Sequence, residues 1–341
     1  MISTRTVLQI HRFVSRAIDQ KPTITTQGML QILDWTIMRV QQNQIREEAY
    51  PCIFARGAEL LYLISSIRPF RRYTLTKGGR MQPISSRARR HQRRHREKRA
   101  QASVTGQHYH PTILFFTGAG LSAESGVPTF RSEGIWRNHE NWRYSHASSM
   151  STDLAGFLAF HNKRRQTMLE AAPSQVHYLI ALLQQKCTVR VITQNIDDLH
   201  ERAGSREVLH LHGSIQFLVP IGFRSKKYRQ PWHEDVKVGD RCPSTGSQLR
   251  PDIVLFGEKI YEYQQARRWL CEADIVVVVG TSLLVEPASS LLQNINPGAC
   301  VYYIDPDLGL SSRLPFPAEL IVDGANCGIA HVLELNLEKM V

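Results

Sequence analysis

An apolar run, Ile113–Thr117, ends in Gly118-Ala119-Gly120 and continues as LSAESGVPTFR. Two glycines this close to a strand end let backbone N–H groups approach a phosphate, and a following helix N-terminus favours negative charge. Three further apolar runs end in polar residues. Val189–Thr193 leads into Gln194, Asn195 and Asp197; Asp274–Gly280 leads into Thr281 and Ser282; Cys300–Ile304 leads into Asp305. Hydroxyl and N–H groups at such ends suit a phosphate or ribose, and a carboxylate there can accept from a ribose hydroxyl. Between the second and third runs lies VLHLHGSI, with His212 directly before Gly213. A neutral imidazole beside a ribose can act as a general base near neutrality. A glycine turn alone is explained as well by a bare tight turn, and a lone histidine is more often a packed residue than a catalyst. The convergence of four polar strand ends is what carries the nucleotide reading.

Those residues need a frame to hold them. The runs are continuously apolar rather than alternating, as strands buried on both faces require, and helical patterns separate them. The expected architecture is therefore α/β, a parallel sheet with helices on both faces, with ligands beyond the carboxyl ends of the strands. It occupies residues 111–341, with a small insertion at about 214–250. Residues 1–84 read as a helical extension without evident chemistry, in which Leu30, Leu33, Ile37 and Val40 share a face. Residues 85–110 read as a basic linker.

The chain has 341 residues, 42% of them apolar, and a formal charge of +12. No apolar run approaches the length of a bilayer span, so no membrane span is expected. Six cysteines without C-x-x-C spacing suggest reduced thiols. Much of the positive charge lies in Arg87–Arg99, RARRHQRRHREKR, where only Glu97 opposes it. Such a run is first a solvated linker; a salt-sensitive nucleic-acid contact is its second reading.

The motifs GAGLSAESGVPTFR, TQNIDDLHERAG, LHG, RPDIVLFGE and GTSLLVEP follow one another in the order and approximate spacing of the sirtuins, which the chain resembles from about Pro111 onward. Sirtuins are NAD-dependent protein-lysine deacylases, and the resemblance implies a Rossmann-like fold and NAD as cofactor. It implies that Gly118, Ala119, Gly120, Ser122, Phe130, Arg131 and Trp136 hold the pyrophosphate side of NAD. Gln194, Asn195, Ile196 and Asp197 would surround the nicotinamide ribose, and Gly280, Thr281, Ser282, Asp305 and Ala325 the adenosine end. His212 would be the catalytic base, with Asn195 and Asp197 beside it. The acyl-lysine carbonyl attacks the ribose carbon as nicotinamide leaves. His212 then deprotonates a ribose hydroxyl, and an O-acyl-ADP-ribose results. The acylated peptide would lie as an added strand between Val254–Glu258, including Phe256 and Gly257, and Leu283–Glu286.

Two departures from the sirtuin pattern stand out. Most sirtuins bind a structural zinc through two C-x-x-C pairs after LHG, whereas residues 214–250 contain only Cys242. Cys242 with His233 would leave zinc two ligands short, so no metal is expected, and Phe217, Val219, Ile221 and Trp232 are the expected packing. SAESG and PTFR resemble the bacterial deacetylase/desuccinylase branch, whose Tyr-x-x-Arg pair holds an acyl carboxylate; here His161 and Arg164 occupy those places. The plainer reading puts them on a solvated helix face with Lys163 and Arg165. ADP-ribosyl transfer or NAD hydrolysis, and a catalytically degenerate nucleic-acid-binding module, are the competing functions. A cytoplasmic monomer is expected, with a mitochondrial location as alternative because the first residues are Arg-bearing and acid-poor.

Overall fold

The computed structural model describes residues 72–75, 81–82, 111–128, 139–185, 187–307, 314 and 316–340. In chain order the strands are β1 (Arg72–Leu75), β2 (Met81–Gln82), β3 (Thr112–Thr117), β4 (Thr188–Thr193), β5 (Val208–His210), β6 (Gly213–Pro220), β7 (Gln230–Pro231), β8 (Leu249–Ile253), β9 (Ile275–Val279), β10 (Cys300–Ile304) and β11 (Glu319–Ile321). The longer helices are α1 (Leu154–Glu170), α2 (Gln175–Leu183), α3 (Tyr263–Glu272) and α4 (Ala325–Met340). The strands and their ends belong to a compact unit of Arg72–Ala325, while residues 326–338 of α4 belong to a second unit. Among the described residues no helix is long and apolar enough to cross a membrane.

The main sheet runs β2-β1-β11-β10-β9-β3-β4-β5, parallel from β11 to β5. All five residues of β9 are buried, as an unbroken Ile/Val run in the middle of a two-sided sheet should be. Leu114, Phe116, Val276 and Val278 pack in one cluster with Ala266 and Leu270 of α3. From β3 the chain winds outward through β4 and β5, then returns to β9 and winds the other way through β10 and β11. The direction of winding therefore reverses between β3 and β9, and a crevice opens beyond the strand ends at such a switch point.

The insertion forms an antiparallel sheet, β7-β6-β8. Leu218, Trp232, Val236, Cys242 and Leu249 from this lobe pack in one cluster with Phe157, Leu158 and Met168 of α1. Of the four residues expected to hold the lobe, Val219 and Trp232 are buried, while Phe217 and Ile221 are only partly covered. The start of α1 is fixed by Asp153, whose Oδ1 accepts the Gly156 N–H at 2.9 Å and whose Oδ2 accepts the Tyr144 hydroxyl at 2.7 Å.

The expectation of a helical 1–84 needs correction where it is described. Residues 72–75 and 81–82 are strands, and β1 pairs antiparallel with β11, Tyr73 opposite Leu320. The signal was Gly78-Gly79, a pair that favours turns, between RYTLT and RMQ. The helical face at Leu30–Val40 and the basic run Arg87–Arg99 lie outside the described residues.

At the switch point two turns meet backbone to backbone. The Gly118 N–H donates to Val279 O at 3.1 Å, and the Gly120 N–H to Gly280 O at 2.8 Å. A Cβ at Gly118 would stand 2.7 Å from Gly280 O, one at Gly120 2.7 Å from Gly280 Cα, and one at Gly280 2.4 Å from Leu121 N. Gly280 also has a φ of 65°, in the region side chains avoid. These contacts demand glycine before any ligand is considered. Gly280→Ala should therefore lower unfolding stability by about 2 kcal/mol or more, combining a left-handed alanine with overpacking. A urea midpoint equal to that of the parent would show that the turns do not touch.

Candidate functional site

The loop leaving β4 is tied on both sides. The Gln194 side chain donates through Nε2 to Thr281 Oγ1 at 2.8 Å, joining the β4 and β9 ends. Tyr303 of β10 donates its hydroxyl to Thr281 O at 2.9 Å. Asn195 Nδ2 donates to Gly118 O at 3.1 Å and to Ser122 Oγ at 2.9 Å, joining the β4 and β3 ends. Ser122 in turn donates to Asp197 Oδ2 at 3.0 Å. Burial pushes the Asp197 carboxyl above its ordinary value, and the Ser122 hydroxyl and Leu199 N–H pull against that shift. Ile196 sits on the small-lobe side, its carbonyl accepting from Ile215 N at 2.9 Å.

His212 follows β5. Its Nδ1 lies 2.9 Å from Gln194 O, and a carbonyl can only accept, so Nδ1 carries the proton and Nε2 keeps a lone pair. Burial lowers the ring's pKa, against the opposing effect of that hydrogen bond. His212 is thus neutral at physiological pH, with Nε2 as its basic atom. Its own carbonyl accepts from Val254 N at 2.8 Å, so the ring is set beside the segment expected to receive a peptide.

The structure brings Gly118, Ala119, Gly120, Ser122, Gln194, Asn195, Asp197, Gly280 and Thr281 together at the ends of β3, β4 and β9. Ser282 follows Thr281 and is half-buried. Asp305 ends β10, buried, with Oδ1 accepting the Asp307 N–H at 2.9 Å. Ala325 opens α4; just before it, a Cβ at Gly324 would lie 3.5 Å from Glu124 Oε1, so the loop after β11 also reaches the β3 end. Phe130, Arg131 and Trp136 lie outside the described residues.

On α1 the run His161–Arg165 is not a solvated face. Only Lys163 is exposed; Arg164 is half-buried, and His161 and Arg165 are buried. His161 donates through Nε2 to Tyr144 O at 3.1 Å and packs edge-on against Phe157 and Phe160. Burial, with the nearby Arg164 charge, lowers its pKa to about 3, so it is uncharged. Arg165 donates through Nη2 to Trp232 O and stacks over that indole at 4.9 Å, bolting α1 to the small lobe. Burial lowers the Arg164 pKa to about 10, and the Asp197 carboxylate opposes the shift. The guanidinium therefore keeps its charge.

The segment after β8 is shaped by ions that sequence reading did not pair. Glu258 Oε2 accepts the Leu255 N–H at 2.9 Å, while Oε1 pairs with buried Arg250. Arg250 Nη1 also donates to Ile253 O at 2.8 Å. Buried Asp252 pairs with Arg229 and accepts from Tyr261 at 2.9 Å. Glu258 is thus a brace of the loop. Phe256 donates its N–H to Ser145 O at 2.9 Å and accepts from Ala147 N at 3.1 Å, so residues 145–147 take one edge of this segment. No main-chain bond of Gly257 occurs among the described residues.

The Sir2 family profile matches residues 118–287. A Helicobacter pylori protein called NAD-dependent protein deacylase is 37% identical over 235 residues, covering 67% of this chain and 95% of that protein. A Bacteroides thetaiotaomicron protein of the same name is 43% identical over 199 residues, covering 57% of this chain and 85% of its own length. A solved Sir2 homologue in complex with NAD is 30% identical, with a TM-score of 0.59 over 67% of this chain and 91% of that one. With the winding of the sheet, the polar strand ends and these likenesses in agreement, the chain belongs to the Sir2 family.

Proposed function

We propose that this chain is an NAD-dependent protein-lysine deacylase, releasing nicotinamide and an O-acyl-ADP-ribose. The observation that carries the reading is His212: a neutral ring, its proton held at Nδ1 by Gln194 O, with Nε2 free to take a proton. NAD suits the strand ends, where the side chains of Ser122, Gln194, Asn195 and Thr281 gather beside glycine backbone. When bound, NAD supplies the ADP-ribosyl group whose bond to nicotinamide is broken. Asn195, Ser122 and Asp197 shape the wall nearest His212; Thr281, Ser282, Asp305 and Ala325 serve the adenosine end, and Arg131 the pyrophosphate. Purified protein should convert NAD and an acetyl- or succinyl-lysine peptide to nicotinamide and free lysine, and His212→Ala should reduce turnover by about 100-fold or more. Nicotinamide release without peptide deacylation would overturn the reading.

Within the family we place the chain with enzymes that accept dicarboxylic acyl groups. Arg164 is charged, half-buried and under the influence of the Asp197 carboxylate, while His161 is an uncharged packing residue that cannot pair with an anion. Arg164→Met should lower desuccinylation by about tenfold or more relative to deacetylation, the worth of a charge-assisted hydrogen bond. Equal losses on both peptides would remove Arg164 from acyl recognition.

The small lobe, residues 214–250, is read as held without zinc. Cys242 is buried, with Sγ accepting from Gln230 Nε2 at 3.3 Å. Among the described residues no group of three or more His, Cys, Asp or Glu is placed to hold a metal ion. The donor set does not fit zinc, and the Trp232 cluster with the Arg229–Asp252 and Arg250–Glu258 pairs supplies the hold. Metal analysis should find well under one zinc per chain, and chelator should leave the urea midpoint unchanged; stoichiometric zinc whose removal unfolds the protein would refute it.

A further inference from the structure

Two residues before His212, on the same side of the strand, stands a histidine with a different set of partners. His210 Nδ1 lies 2.8 Å from Asn195 O, and its Nε2 lies 2.8 Å from Glu201 Oε1. Leu209 and Leu211 turn the opposite way into the core. β5 therefore aims both imidazoles at the β4 loop, where consecutive carbonyls, Gln194 O and Asn195 O, receive one each. The difference lies at the far nitrogen. Where His212 Nε2 keeps its lone pair, His210 Nε2 faces a carboxylate.

A carbonyl and a carboxylate both accept, so a ring that satisfies both must carry two N–H groups. The alternative is a protonated Glu201 donating to a neutral ring. That inverts the ordinary acidity order of carboxyl and imidazole, on a side chain with 32% of its surface exposed. We infer that His210 is a buried imidazolium, paired with Glu201, that positions the Asn195 loop for the NAD-dependent reaction. A neutral ring has one proton and cannot hold Asn195 and Glu201 together. Asn195 is the residue whose side chain ties the β4 loop to Gly118 and Ser122, so slackening its carbonyl loosens the wall beside His212.

The surrounding charges agree with this assignment. Burial opposes the charge on His210, but the hydrogen bond and charge of Glu201, the Asn195 carbonyl and the Asp197 carboxylate outweigh it, and the pKa is raised. His200, on the helix Leu199–Arg202, packs edge-on against His177; burial drives its pKa well down, with the charges of His177 and His210 adding to the effect. His177 of α2 is likewise lowered, to about 4, so neither neighbour competes for the proton. Because the folded-state pKa is raised, the benefit is fully present below the ordinary histidine value and is lost as pH rises through the folded value.

The inference rests on the deacylase reading for its effect on turnover, but the charge itself can be read without catalysis. Nitrogen-15 shifts of the histidine rings in the unliganded parent protein, with His210 assigned by comparison with Glu201→Gln and His210→Gln, should show both His210 nitrogens protonated at neutral pH. The ring should titrate above the ordinary histidine value, and Glu201→Gln should move that titration down. In turnover, the parent's KM for NAD should climb on the alkaline side. His210→Gln should raise it about tenfold on the acid side of the His210 titration with a smaller change in kcat, as expected for losing a charge-assisted bond, and should lack the alkaline climb, so that variant and parent converge at high pH. A bare ring nitrogen at neutral pH, or an unaltered pH profile of KM in His210→Gln, would overturn the assignment. A parent protein with no turnover would count against the deacylase reading and leave the nitrogen-15 result to decide the charge.

Discussion

The site depends on two turns that approach without any side chain between them. Gly118 and Gly120 lie against Gly280, and this contact sets how far apart the ends of β3 and β9 can be. Thr281, the residue after Gly280, then reaches Gln194, and Gln194 O holds the proton of His212 on Nδ1. A protonation state is thus fixed by a steric fact three residues removed from it. Glycine is required at these positions by the closure of the frame itself.

His210 and His212 show how little distinguishes a base from a cation. Both rings rest on a loop carbonyl through Nδ1, and both are largely screened from water. One carboxylate, Glu201, makes the difference. The same economy governs the small lobe, where Arg250, Arg229, Asp252 and Glu258 brace the segment after β8. A buried guanidinium left without its carboxylate is costly, which makes such pairs specify a geometry more strongly than they stabilise it.

The parallel strands were legible because burial on both faces demands uninterrupted apolar residues, as in Ile275–Val279. The polar strand ends were legible because topology alone sends them to one edge. Less legible was anything decided by a distant partner. Arg165 reads as solvated until Trp232 is found beneath it. The side chain of Glu258 shows no role until Arg250 and Leu255 N are seen to engage both its oxygens. Glu201 and His210 both lie within motifs, TQNIDDLHERAG and VLHLHGSI, but nothing in their spacing shows that the two side chains meet. The strands at 72–75 and 81–82 were missed for a different reason: a short hairpin far from the apolar runs gains its stability from β11, which sequence pattern places nowhere near it.

That hairpin gives the sheet a guarded flank. β11 is the last parallel strand on its side, and β1 covers its open row of N–H and C=O groups, leaving only the two-residue β2 outermost. An uncovered strand edge is a template for other chains. A protein shortened to begin at Pro111 would keep the described groups at the strand ends, yet would present β11 bare, and would be prone to self-association through that edge. The β1–β2 hairpin therefore keeps the backbone groups of β11 engaged within its own sheet.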